Sequence, residues 1–207
     1  MPFGSPPAAS PALLLELTQR YTEPHRQYHG LPHIAWMLDA RREVELSEDQ
    51  VLAVWFHDAV YEVPGPENEA LSAALAVERL TAAGFPAERC RVIERIILDT
   101  RDHIPRSAAS EAVIDLDLAS LALPRAAFER NGARIRAEFA CFDDATFAAG
   151  RIAFMRAFLA RERIYWTPWG ARLEARAREN LRLDIERLQA ELGASAGGGT
   201  EVNRSTS

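Results

Sequence analysis

Residues 47–61 read Ser-Glu-Asp-Gln-Val-Leu-Ala-Val-Trp-Phe-His-Asp-Ala-Val-Tyr. Ser47 ahead of Glu-Asp-Gln has the composition of a helix start, because a serine oxygen can accept from the backbone N–H groups that a first turn leaves unpaired. Val51, Val54 and Trp55 then recur at helical spacing, and the apolar run ends in the adjacent pair His57-Asp58. A charge at the end of so apolar a helix is costly unless it is paired or bound to a metal ion. Neighbouring helical positions point about 100° apart, so the doublet can hold a cation between its side chains only if further ligands arrive from elsewhere in the chain.

Outward from this stretch the same periodicity continues. Leu14, Leu17 and Tyr21 precede it; Val92, Ile93, Ile96 and Ile97 follow, then Phe128, Ile135, Phe139 and Phe142, then Ile152, Met155 and Phe158. Pro64-Gly65-Pro66 and Gly84-Phe85-Pro86 fall where helices should stop. No run alternates over strand length and no repeat is present. The expectation is an all-α bundle of about eight helices. Residues 11–193 form one domain, between disordered tails at 1–10 and 194–207 that are rich in Pro, Ala, Ser and Gly. Leu173, Ala177, Leu181, Ile185 and Leu188 predict one long amphipathic helix from about 168 to 192 that closes the bundle.

Composition narrows the function. The chain has 207 residues, 48% of them hydrophobic, enough for one sizeable core. A formal net charge of -6 argues against a general nucleic-acid binder, which normally carries a clustered basic excess. All 24 basic residues are arginine, so a Schiff-base lysine and a lysine-bearing phosphate loop are both excluded. Cys90 and Cys141 stand in no CxxC spacing and read as reduced, buried small hydrophobes. The N-terminal apolar run has no positive charge before it and is cut by Glu16, and no stretch approaches the roughly 20 apolar residues of a membrane span, so the expected compartment is the cytoplasm.

Of five histidines, three lie in the segment Pro24-His25-Arg26-Gln27-Tyr28-His29-Gly30-Leu31-Pro32-His33-Ile34. Pro32 suits a first helical turn and Gly30 discourages helix before it, which places His33 at a helix start and His29 in the loop ahead. Downstream, Asp115 and Asp117 are embedded in aliphatic residues and raise the same question of neutralisation as the doublet. Imidazole nitrogen mixed with carboxylate oxygen suits one divalent ion: Mn, Mg, Zn, Fe, Co or Ni.

The order His33, His57-Asp58, Asp117 resembles the H…HD…D signature of the HD superfamily of metal-dependent phosphohydrolases. The likeness spans about residues 13–190 and includes Tyr21 to Ile34, Val54 to Tyr61, Asn68-Glu69 with Ser72-Ala73, Thr100 with His103, and Asp115 to Leu118. Ile135 to Phe139, Gly150-Arg151 and Ala177 to Leu181 are also similar to a bacterial subgroup of that superfamily, whereas His25 stands where a small residue would be expected. The resemblance implies His33, His57, Asp58 and Asp117 as metal ligands, with Asp115 the fallback for the last. Only His103 lies between the doublet and the final Asp, which favours one metal over two.

A metal-activated water attacking a phosphoester gives the remaining residues roles. Asp58 can also orient the water, and Glu69 becomes a general base if the loop after Tyr61 folds back. Arg26, His29 and His103 are candidates for the substrate phosphate. Each has a plainer role to weigh: an ion pair for Arg26, a loop hydrogen bond for His29, an exposed turn for His103, and the helix dipole for Glu69. Arg134, Arg136, Glu138, Arg151 and Asn180 read as structural braces, and Trp166 to Trp169 as a packed corner. The expected substrate is a small phosphorylated metabolite or nucleotide, with no nucleic-acid polymer and no membrane as partner; a homodimer is left open. The alternatives are a non-catalytic, metal-containing nucleotide-binding module and, further off, an iron oxygenase.

Overall fold

The computed structural model describes residues 10–197. Each helix begins where local chemistry starts one. Ser10 accepts from Leu13 N ahead of α1 (Pro11–Arg20), and Pro32 sits in the first turn of α2 (Leu31–Ala40). Ser47 and Gln50 form a reciprocal capping box at the head of α3 (Glu48–Phe56), at 3.3 and 2.8 Å. α4 (Asn68–Ala82) stops ahead of Gly84, whose φ of 81° is cheap only for glycine, and α5 (Ala87–Thr100) follows. α6 (Ala108–Leu118) runs into a 3-10 turn at Ala119–Ala122. Then come α7 (Arg125–Glu138), α8 (Asp144–Leu159) capped by Asp143, a short α9 (Pro168–Ala171) capped by Thr167, and α10 (Glu174–Gly197). No strand occurs among the described residues, and no helix there is long and apolar enough to cross a membrane.

The architecture is the all-α bundle expected, divided more finely. Among the described residues ten α-helices replace about eight, and the single helix read from 168 to 192 is broken after Ala171, giving α9 and α10. Helix α10 continues to Gly197, so the boundary drawn at 193/194 falls inside it, while residues 1–9 and 198–207 lie outside the described residues. Cys90 is buried, but Cys141 is exposed, against expectation, because it lies in the turn between α7 and α8.

Two apolar cores share α6 as their common wall. Leu17, Ile34, Leu52, Phe56, Ile93 and Ile97 pack with Val113 and Leu116 of α6 on one side. Ile152, Met155, Phe158, Leu181 and Ile185 pack with Ile114 and Leu118 of the same helix on the other. As expected, α10 closes the bundle, laying Ala177, Leu181, Ile185 and Leu188 into the second core. Because α6 presents apolar residues to both sides, its acids at 115 and 117 are carried into the interior with it.

Candidate metal centre

His57 is the last turn of α3, and its Nδ1 lies 2.9 Å from the Val54 carbonyl. A carbonyl can only accept, so Nδ1 carries a hydrogen and fixes the ring with Nε2 pointing inward. Nε2 is buried without a hydrogen-bond partner, although Asp58 Oδ2 is 3.2 Å away and Asp117 Oδ1 3.7 Å away. The distances are short but the angles of a hydrogen bond are not met, so nitrogen and oxygens face a common point instead of each other. His33, at the start of α2, brings its Nε2 to 3.1 Å from Asp117 Oδ1. His33, His57 and Asp58 each offer a ligand atom within 4.8 Å of the other two, a group that could hold a metal ion. Asp117 lies beside both histidines of that group, and its Oδ2 is 3.2 Å from His103 Nε2.

The electrostatics follow from the crowding. Burial opposes a charge on His57, yet the Asp58 carboxylate and then Asp117 outweigh it and raise the imidazole to about 9. Burial likewise works against Asp58 and Asp117, but the histidines around them hold both carboxyls well below the usual range. The acids are therefore charged, and a divalent cation competes with a proton for the His57 lone pair.

Asp115 does not join this group. It is fully buried and accepts from Trp166 N and Thr167 N at 2.8 Å and from Thr167 Oγ1 at 2.6 Å, which gathers the corner ahead of α9. Gly170 must be glycine there, since a Cβ would stand 2.2 Å from Asp115 Oδ2. The fallback ligand is thus a fold anchor, and the Trp166–Trp169 segment is the packed corner expected.

Arg26 also differs from its expected place. Its side chain is wholly buried and donates to the carbonyls of His29 (3.1 Å), Asp58 (2.6 Å) and Ala59 (3.2 Å), and to Glu23. It braces the His57-Asp58 turn from behind and does not line the cavity in front. Tyr21 adds a second brace, its hydroxyl donating to Trp55 O and accepting from Asp58 N. Ser72 Oγ holds the backbone of Val60, and the Asn68 side chain holds that of Glu62, so the loop after the doublet is pinned back toward α4. His25 meets that loop as well, its Nε2 2.9 Å from Tyr61 O.

His29, Glu69 and His103 all line one cavity of about 630 Å3 that includes His57, Asp58 and Asp117 in its wall. Glu138, from the end of α7, explains the pose of His29. Its Oε1 accepts the backbone N–H groups of Gln27, Tyr28 and His29 at 2.7–2.8 Å, and its Oε2 accepts from His29 Nδ1 at 2.7 Å and from Tyr61 OH at 3.0 Å. Burial works against the charge on both partners, but the pairing outweighs it, lowering Glu138 and raising His29. The sequence signal for Glu138 was faint: an acid in a charged, amphipathic helix, 77 residues from Tyr61 and 109–111 from Gln27, Tyr28 and His29.

His103 has a φ of 53°, the one left-handed non-glycine among the described residues. Its loop is held by Asp99, which accepts from Ser110 Oγ, Arg106 N and Arg106, and by Arg161, which donates to the carbonyls of Asp102 and His103. Buried Asp99 and Arg161 had not stood out in the sequence. Comparison with protein-family models, with curated proteins and with solved structures returned no match.

Proposed function

We propose that the chain is a metal-dependent phosphohydrolase of the HD type, cleaving a phosphoester bond of a small phosphorylated molecule with a metal-activated water. The observation that carries this reading is the orphaned His57 Nε2, enclosed beside two carboxylates and aimed where no protein atom accepts or donates. A buried polar atom left in that way is costly, and a cation is the partner that the mixed nitrogen and oxygen donors fit. The resemblance of His33, His57-Asp58 and Asp117 to the HD signature points the same way.

His33, His57, Asp58 and Asp117 would hold the ion. When bound, a divalent ion lowers the pKa of its water toward neutrality and withdraws charge from a phosphoryl oxygen. The carboxylate of Asp58 would accept a hydrogen bond from an attacking water and so orient it. His29, whose Nδ1 donates to Glu138, keeps Nε2 available for a phosphoryl oxygen, and His103 stands across from it beside Asp117. Glu69, in the first turn of α4, is with Glu62 one of two carboxylates at the cavity wall outside the metal cluster, and serves as the candidate base. Arg101 lines the cavity where Arg26 does not.

Metal analysis of the purified protein, joined to a phosphatase screen, tests the reading. Wild type should hold about one divalent ion per chain. H57A and D58A should lose the ion and at least about 100-fold in turnover, while D115N, on the anchor residue, should lose stability and keep the metal. Bound metal without hydrolysis across a broad phosphoester panel would sink the hydrolase reading and select the nucleotide-binding module instead. Absence of metal after loading would sink both.

A further inference from the structure

Away from the metal centre the cavity changes character. Its far wall is made by α7, α8 and the turn between them, and it carries five of the chain's nine phenylalanines: Phe128, Phe139, Phe142, Phe147 and Phe154. Helix α7 gives only Phe128 and Glu138 to the buried set, so Ile135 stays partly exposed where it lines the cavity, while Phe139 packs its ring on Phe142 and Phe147. Phe154 remains 44% exposed while lining the cavity. A Cβ on Gly150 would meet nothing within 4 Å, so α8 leaves open space at that point. The rings touch one another, Phe139 with Phe142 and Phe147 and Phe154 with Phe158, yet leave a cavity beside them, and helices that only had to stabilise the bundle would fill it.

The charges that line the cavity limit what can fill it. His29, His57 and His103 cluster with Asp58 and Asp117 at the metal end, while beyond them Glu62 and Glu69 face Arg101 and Arg151, and Arg151 already donates to Asp184 at 3.0 Å. One phosphoryl group can be met by the histidines at the metal end, but a polyphosphate chain reaching past them would meet carboxylates with one uncommitted arginine to offset them.

We infer that the substrate is a phosphate monoester whose alcohol is a sizeable apolar body, seated among the α7 and α8 phenyl rings with its phosphate at the metal centre. The inference rests on the phosphohydrolase reading for its reaction, and on the chamber alone for its ligand class. A cavity of this size and lining suits a body of about two fused rings or an eight-carbon chain.

The test uses non-hydrolysable phosphonates on the metal-loaded protein. In calorimetry, naphthylmethylphosphonate should bind about 30-fold more tightly than methylphosphonate, with a negative heat-capacity change, because apolar area leaves water. In turnover, naphthyl phosphate and octyl phosphate should both exceed ribose 5-phosphate and a nucleoside monophosphate in kcat/KM, their ratio reporting whether rings or chains fit better. F154Q, on the exposed rim, and G150L, which adds bulk where a helix gains propensity, should each cut the naphthyl-over-methyl binding ratio by about tenfold. Equal binding of the two phosphonates, or a preference for the sugar phosphates, overturns the inference and leaves the hydrolase reading standing. Tight, apolar-dependent binding without any turnover sinks the hydrolase reading and upholds the ligand class.

Discussion

Behind the His57-Asp58 turn, backbone groups are held by side chains from distant parts of the chain, whereas across the cavity α7 and α8 meet mainly through aromatic rings that line a chamber. On the first side Arg26 donates to three carbonyls, and Glu138 collects three backbone N–H groups, an imidazole and a phenol. On the second side phenyl rings line a chamber, and Arg136 ties α7 to the head of α8 at its rim by donating to Asp144 and to the Phe139 and Phe142 carbonyls. On the proposed function, the difference separates two tasks. Reacting groups must be held to a fraction of an ångström, which takes saturated hydrogen bonding. A substrate body needs only to be desolvated, which apolar walls accomplish without fixed geometry.

Removing Arg26 gives the largest break in this contrast. R26A leaves the carbonyls of His29, Asp58 and Ala59 without their donor in a buried place, and each such orphan costs about 1–3 kcal/mol. Allowing for water entering the hole, a loss of about 3–4 kcal/mol in urea unfolding is expected. A loss below about 1 kcal/mol would mean that the turn is held by Tyr21 and the α4 loop, and that the saturated side is less rigid than its hydrogen bonds imply.

These two sides were not equally legible in the sequence. The all-α architecture followed from apolar spacing, and the Ser47 cap, the His33 helix start and the α10 face fell out of the same local rules. Position along the chain does not reveal which way an isolated charge turns, so Arg26 was read toward a phosphate when it turns backward onto carbonyls. Asp115 and Asp117 lie on one helix two residues apart, about 200° around its axis, and only the packed corner at 165–170 shows that the first belongs to the fold and the second to the site. The chamber was illegible for a different reason: the Phe128, Ile135 and Phe139 pattern is that of a core helix, and periodicity cannot tell a buried face from one that lines a cavity.

Glu138 sharpens the contrast through pH. E138Q keeps an acceptor for the loop N–H groups but cannot accept from both His29 and Tyr61, at an expected cost of about 2 kcal/mol near pH 6. The Glu138 carboxyl is lowered from 4.5, so its contribution is present above that value and is lost as pH falls through the folded pKa. His29 is raised from 6.5, so its contribution is complete below 6.5 and is lost as pH rises through its folded pKa. The gap between wild type and E138Q should therefore be widest between pH 4.5 and 6.5 and narrow on both sides. A gap that is flat with pH would show that the backbone bonds carry the whole effect and the ion pair none.

His103 gives the smallest effect and the finest test of where rigidity comes from. Its left-handed backbone costs about 1 kcal/mol in a non-glycine residue, and glycine would remove that cost while adding freedom to the unfolded chain worth about as much. The imidazole's approach to Asp117 joins two partly exposed groups, so its loss is small, and H103G should unfold within about 1 kcal/mol of wild type. Asp99 and Arg161 should hold the loop in place without the side chain, because they grip its neighbours and its backbone. Phosphonate affinity should nonetheless fall by about tenfold, since a charge-capable donor beside Asp117 is gone. A stability loss above about 2 kcal/mol would make the imidazole itself the brace. Unchanged affinity would take His103 out of the substrate's reach and leave the strained turn without a role at the site.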